Sequence, residues 1–254
     1  MGRRAKLSLV EQDGYQDTDY SASSALKRNK QKYPQPIKNN SIWFKDALEP
    51  RTYGQEFYIN AVKESDITIC TGPAGCGKTW LVTRLALEDL STNRVSKIIV
   101  TKPIVEAGDG MGIGFLPGDV DEKILPHFMS VLDCFEDHIG PTMTKKLMDE
   151  GKIVFLPVEY MRGRDLKYSF ILVDEAQNLT KVGMKLVMTR ISTGSKMVLN
   201  GDAQQIDLPK NKESGLQWAA DKLVGKNSRI SVATMGRDDV QRHPVISTIL
   251  DNLI

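Results

Sequence analysis

The chain has 254 residues, 41% of them apolar, and a formal net charge of +2. That is enough for one large α/β domain or two small ones with a sizeable core, and the near-neutral balance neither demands nor forbids a nucleic-acid partner, since a local patch outweighs the total. No apolar run approaches the roughly 18 residues of a membrane-spanning helix.

Three cysteines, Cys70, Cys76 and Cys134, occur without a C-x-x-C spacing. They are expected to be reduced, packing thiols of a cytoplasmic protein. Arg3, Arg4 and Lys6 have no apolar segment behind them, so no secretory signal is expected. Residues 1–40 are polar and without period, and are expected to be a disordered tail. Its basic cluster Lys27, Arg28, Lys30 and Lys32 runs into Pro34 and Pro36. A solvated linker and a phosphate-binding arm both fit that cluster.

Residues 41–254 carry the globular pattern. A helix is expected from Gly54 to Glu64, then a strand from Ile67 to Cys70, then a helix from Trp80 to Leu90. Lys97–Thr101 is a buried strand, followed by a glycine-rich stretch from Gly108 to Gly114. Ile124, Phe128, Val131, Leu132 and Phe135 have helical spacing within 119–138, which Pro126 interrupts by ending or kinking a first turn. Strands follow at Ile153–Leu156 and Phe170–Val173, and a helix at Thr180–Ile191 capped by Thr180. Further strands are expected at Lys196–Leu199 and Arg229–Ala233, and a closing helix at Asp238–Leu253. Apolar strands alternating with helices predict an α/β fold, a mostly parallel central sheet with helices on both faces. In such sheets ligands bind beyond the carboxyl ends of the strands, where the polar motifs of this chain fall.

The first of these motifs is Gly72, Pro73, Ala74, Gly75, Cys76, Gly77, Lys78, Thr79, which fits the phosphate-binding P-loop pattern between a strand and a helix. Its backbone N–H groups and the helix start, including Trp80, are expected to surround the phosphates of ATP. Lys78 is assigned to the β- and γ-phosphates and Thr79 to Mg²⁺. The segment Asp174-Glu175-Ala176-Gln177 ends a buried strand in the manner of a Walker B motif. Asp174 is assigned to the Mg²⁺ shell, because this ion takes hard oxygen ligands, and Glu175 to the attacking water. Gly201-Asp202-Ala203-Gln204-Gln205 resembles the γ-phosphate sensor of superfamily 1 helicases, with the Gln205 amide as donor. Gln55, upstream of the loop, offers one donor and one acceptor to an adenine edge. Arginines for transition-state charge are sought among Arg162, Arg164, Arg190, Arg237 and Arg242. His127, His138 and His243 are expected to be structural, and no Ser/His/Asp or zinc-spaced set occurs.

Taken in order with Lys102-Pro103-Ile104-Val105-Glu106-Ala107-Gly108, Gly114-Phe115-Leu116-Pro117-Gly118, Tyr160-Met161-Arg162-Gly163-Arg164, Gln205-Ile206-Asp207-Leu208-Pro209 and Arg242-His243-Pro244, these motifs resemble the PhoH family of ATPases. The resemblance runs from about Gln55 to the C-terminus. Cys76 stands where the family often has threonine, and the 111–114 stretch is longer than usual. The resemblance implies a core related to superfamily 1 helicases that hydrolyses ATP with Mg²⁺. It also implies a homo-oligomer, a hexameric ring, and a link to RNA metabolism and phosphate starvation. Under it Arg242 is the first choice for an arginine finger and Arg190 the second.

Two functions remain open on the residues alone. One is an ATP-driven motor on single-stranded RNA or other nucleic acid, with Lys102, Lys123, Arg162 and Arg164 as the basic surface. The other is a nucleotide-gated binding module with slow turnover. A kinase is disfavoured, because nothing resembles a small acceptor pocket.

Overall fold

The computed structural model describes residues 42–104, 124–209 and 211–241. In chain order the elements are α1 (Tyr53–Glu64), β1 (Ile67–Thr71), α2 (Lys78–Ser91), β2 (Lys97–Thr101), α3 (Met129–Ile139), α4 (Pro141–Asp149), β3 (Ile153–Phe155), β4 (Ser169–Val173), α5 (Lys181–Met188), β5 (Lys196–Gly201), α6 (Leu216–Leu223) and β6 (Ile230–Thr234). The six strands form one sheet in the order β3-β2-β4-β5-β1-β6. Every pairing is parallel.

A parallel sheet needs crossover helices, and these cover both faces. Strand alternation divides the core accordingly. Cys70, Ile98, Val100, Phe170, Leu172 and Val198 join one apolar cluster with α1, α2 and α3. Ile69, Ile99, Ile171, Val173, Met197 and Leu199 join the other with α5 and α6. Burying such side chains contributes roughly 1.5–3 kcal/mol each, so neither face can be shed independently. This is the α/β architecture the strand and helix periodicity predicts.

Local chemistry sets the element ends. Thr52 caps α1 by accepting from Gln55 N–H at 3.2 Å, and Thr180 caps α5 by accepting from Gly183 N–H at 3.2 Å. Pro126 lies in a 3₁₀ turn at Leu125–Phe128, and α3 begins only after it, as the proline requires. Three expectations need correction. The α5 helix stops at Met188 rather than Ile191, because the Arg190 carbonyl accepts from Leu166 N–H at 3.1 Å and Ile191 pairs with Leu166 as an isolated parallel bridge. Helices α4 and α6 were not expected; α4 opens on Gly140-Pro141, the Pro being at a helix start. The expected closing helix begins as a 3₁₀ turn, Arg237–Asp239, after which Val240 is extended. There the Asp239 carboxylate accepts from Gly236 N–H at 2.7 Å and from the Thr52 hydroxyl, tying the turn to α1. The rest of that helix, the 1–40 tail and the glycine-rich stretch lie outside the described residues.

Candidate nucleotide site

The loop between β1 and α2 leaves the sheet beside two others, those that follow β4 and β5. Register places them level: Thr71 pairs with Gly201, and Val173 with Leu199. A cleft of about 280 Å³ opens between them, lined by Lys78, Thr79, Trp80, Asp174, Glu175 and Gln205 among others. β5 separates the β1 loop from the acidic end of β4. Thus three of the motifs expected at the carboxyl edge of the sheet meet there, while a fourth expected with them, Thr101-Lys102-Pro103 after β2, is not among the residues that line the cleft.

The loop's shape depends on glycine where the backbone turns left-handed. Gly75 has φ 87° and Gly77 φ 85°, and Gly77 is the N-cap of α2. This turn starts α2 at the cleft, so that Gly77, Lys78, Thr79 and Trp80 all line it. Lys78 Nζ donates to the carbonyls of Gly72 at 2.8 Å and Pro73 at 2.9 Å, so it lies folded along the loop. Cys76 is buried and its Sγ donates to the Pro73 carbonyl at 3.0 Å, which fits the packing role expected of it. Ala74 N–H donates to Asp202 Oδ2 at 3.1 Å, and Gly72 N–H to the Gly201 carbonyl at 3.1 Å. Trp80 packs its ring on His138 at 4.3 Å between centroids, and His138 Nε2 bonds the Trp80 carbonyl at 2.9 Å. Burial holds the His138 ring below its ordinary pKa, consistent with a structural histidine.

Thr79 Oγ1 donates to Asp174 Oδ1 at 3.1 Å. Burial, and next the adjacent Glu175 charge, push the Asp174 carboxyl up to about 6, against the opposing pull of Lys102 and the Thr79 hydroxyl. A hydroxyl and a buried carboxylate this close form a hard-oxygen pair suited to Mg²⁺, and a cation there would relieve the unfavourable burial. Glu175 follows in the left-handed region at φ 50°, ψ 38°, unusual for a side chain with a Cβ. Its Oε2 accepts from Gln177 Nε2 at 2.6 Å. Gln177 is fully buried, and its amide also donates to the Gln205 carbonyl at 2.9 Å and accepts from Asp202 N–H at 3.1 Å. Gly201 leaves room for it, since a Cβ there would stand 2.6 Å from Gln177 Oε1 and 2.9 Å from Gln177 N. Asn178 and Asp207 bind reciprocally, at 3.2 and 2.8 Å, and fasten the same two loops.

Other anticipated residues fall elsewhere. Gln55 is buried; its Nε2 donates to the Cys76 carbonyl at 3.1 Å and its Oε1 accepts from Arg51 N–H at 2.8 Å. The amide nitrogen thus braces the phosphate loop, and the amide oxygen holds the segment ahead of α1. Arg190 sits with residues that precede β4, at the amino edge of the sheet, and donates to the Arg164 carbonyl at 3.3 Å. That edge is opposite the cleft of its own chain. Arg162, Arg164 and Arg237 are exposed. Arg242, His243 and Lys123 lie outside the described residues. Cys70 is a buried thiol raised by desolvation, and Cys134, at the cleft wall, is likewise pushed up to about 12. The sequence suggests Asp202 as a residue that holds the geometry of Gln205, and Asp202 does bond within that turn, accepting from Gln204 N–H at 2.9 Å. The bracing roles of Gln177 and Asn178 were missed, and only their place in the motif that begins at Asp174 signalled them.

A family model described as "PhoH-like protein" matches residues 47–253. A PhoH-like protein of Bacillus subtilis is 38% identical over 248 residues, covering 98% of this chain and 76% of that protein. One from Synechocystis is 40% identical, covering 81% of this chain and 62% of the relative. Protein PhoH of Escherichia coli K12 is 35% identical, covering 76% and 54%. The chain thus spans a little over half to about three quarters of these relatives. Among solved structures, the large terminase of a thermophilic bacteriophage has a TM-score of 0.48 at 13% identity, covering 81% of this chain and 51% of its own. The UvsW helicase of bacteriophage T4 has a TM-score of 0.43 at 14% identity, covering 78% and 64%. With a P-loop at the head of an all-parallel sheet and a family model covering nearly all of the folded sequence, this chain belongs to the PhoH-like family.

Proposed function

We propose that the cleft binds ATP with Mg²⁺ and hydrolyses it, and that turnover is coupled to single-stranded RNA. The observation that carries this reading is the 3.1 Å approach of the Thr79 hydroxyl to the Asp174 carboxylate beside the start of α2. It joins a helix N-terminus that favours phosphate to an oxygen pair that favours a divalent cation.

Thr79 and Asp174 would hold Mg²⁺, which supplies charge neutralisation at the phosphates when bound. Lys78 exchanges its loop carbonyls for phosphate oxygens, and the N–H groups of 74–79 orient the triphosphate. Glu175 takes a proton from the attacking water, aided by an amide donor on its other flank. Gln205 donates from the third loop toward the γ-phosphate. Arg242 of a neighbouring copy acts on the developing charge in a homo-oligomer, with a hexameric ring as the favoured state. Arg190, at the far edge of the sheet, could serve only across such a contact.

Phosphate release with Mg²⁺ and ATP, measured with and without a single-stranded RNA, tests this. Turnover should appear, rise with RNA, and fall at least about a hundredfold in Glu175→Gln, to a residual rate that can still be measured, while nucleotide binding persists. RNA affinity should fall steeply with salt. Turnover indifferent to RNA would remove the coupling and leave an ATPase. Binding without turnover would favour a nucleotide-gated module.

A further inference from the structure

Gln177 grips two loops at once. Its Nε2 reaches Glu175 Oε2 at 2.6 Å and the Gln205 carbonyl at 2.9 Å, and its Oε1 takes Asp202 N–H at 3.1 Å. The orientation of the amide is forced, because the carboxylate and the carbonyl need donors and the N–H needs an acceptor. Asp202 also reaches into the phosphate loop. Its Oδ2 accepts from Ala74 N–H at 3.1 Å and its Oδ1 from Gln204 N–H at 2.9 Å.

A phosphate oxygen and the Asp202 carboxylate cannot both take the Ala74 N–H, and their like charges oppose one another. Phosphate at that amide therefore displaces Asp202. The main-chain N–H of Asp202 and carbonyl of Gln205 are the groups that fix the Gln177 amide from one side, and Glu175 is its partner on the other. Displacing the 202–205 turn thus changes how the Glu175 carboxylate is held. Glu175 sits in left-handed backbone at φ 50°, which leaves its aim dependent on such side-chain restraint.

We propose that Gln177 is a positioning residue for Glu175, and that Asp202, by yielding the Ala74 N–H to phosphate, reports the filling of the loop to it. This rests on the hydrolase reading of the site, with Glu175 as the proton acceptor.

Two measurements test it. Binding of a non-hydrolysable ATP analogue with Mg²⁺, by calorimetry, is compared for the wild type, Asp202→Asn and Gln177→Ala. Asp202→Asn should bind about fivefold tighter, since one opposing charge is gone. Gln177→Ala should bind within about twofold of the wild type, yet its kcat should fall at least about tenfold. Its loss should not multiply onto that of Glu175→Gln, so the double variant turns over no slower than Glu175→Gln alone. Unchanged or weaker binding by Asp202→Asn overturns the proposal, as does a Gln177→Ala effect that falls equally on affinity and kcat. If Gln177→Ala does not fold, the Asp202→Asn affinity decides. A wild type that binds the analogue without hydrolysing ATP sinks the hydrolase reading, whereas the Asp202→Asn result still judges the coupling.

Discussion

Replacing Asp174 by asparagine in the absence of Mg²⁺ should make the protein more stable at neutral pH, and by an amount that grows with pH. Asp174 is buried, and burial with the neighbouring Glu175 charge raises its carboxyl from an ordinary 3.8 to about 6. The folded state therefore holds this proton more tightly than the unfolded chain does. The associated stability is fully present below the unfolded value and is lost as pH rises through the folded one. A rise of this size corresponds to about 3 kcal/mol at ~1.4 kcal/mol per unit, of which about 2 kcal/mol disappears between roughly pH 4.5 and 7.5. Asparagine cannot ionise and can still accept from the Thr79 hydroxyl, so it escapes that loss. Urea unfolding of both proteins with a chelator present, at several pH values across the interval, measures the difference. Adding Mg²⁺ near neutral pH should then stabilise the wild type and not the variant, by mass action on the folded state. Parallel pH profiles for the two proteins would refute the reasoning, because they would mean that Asp174 is not burdened by its burial.

Lys78→Ala should lower ATP turnover at least about a hundredfold with little change in unfolding midpoint, as phosphate release and thermal melting will show. Gln55→Ala leaves the Cys76 carbonyl and Arg51 N–H without their partner, and should cost about 1–3 kcal/mol of stability. It should weaken ATP and GTP by the same factor in a binding assay; a loss confined to ATP would restore Gln55 as a reader of the adenine edge. Thr180→Ala removes the cap of α5 and should lower stability by about 1 kcal/mol in urea unfolding, with the nucleotide affinity unchanged.

The features legible in the sequence were those with a strong local cause. Buried β-branched runs marked β1, β2 and β4 closely, because side chains facing two apolar layers leave no polar alternation. The glycines of the 72–79 loop marked the phosphate-loop pattern between a strand and a helix, and Thr180 announced the start of α5. What escaped depended on partners distant in sequence. Nothing near Arg190 foretells that its carbonyl will accept from Leu166 N–H and end α5 early. Gln55 and Gln177 have the same amide, and only the assembled fold commits the first to the back of the phosphate loop and the second to the Glu175 carboxylate. Helix α6 escaped notice because it has only 8 residues and its buried face, Leu216, Ala219 and Ala220, is made largely of small side chains.

The interposed strand β5 has a consequence for how tolerant the site can be. β1 and β4 do not pair with each other, so their register is set through the rungs that each shares with β5. A slip of β5 by one residue would carry Asp202 about 3.3 Å along the sheet and turn Met197 and Leu199 out of one greasy layer into the other. The vernier that brings the phosphate-loop, magnesium and sensor turns into line is thus written largely in the aliphatic residues Met197, Val198 and Leu199.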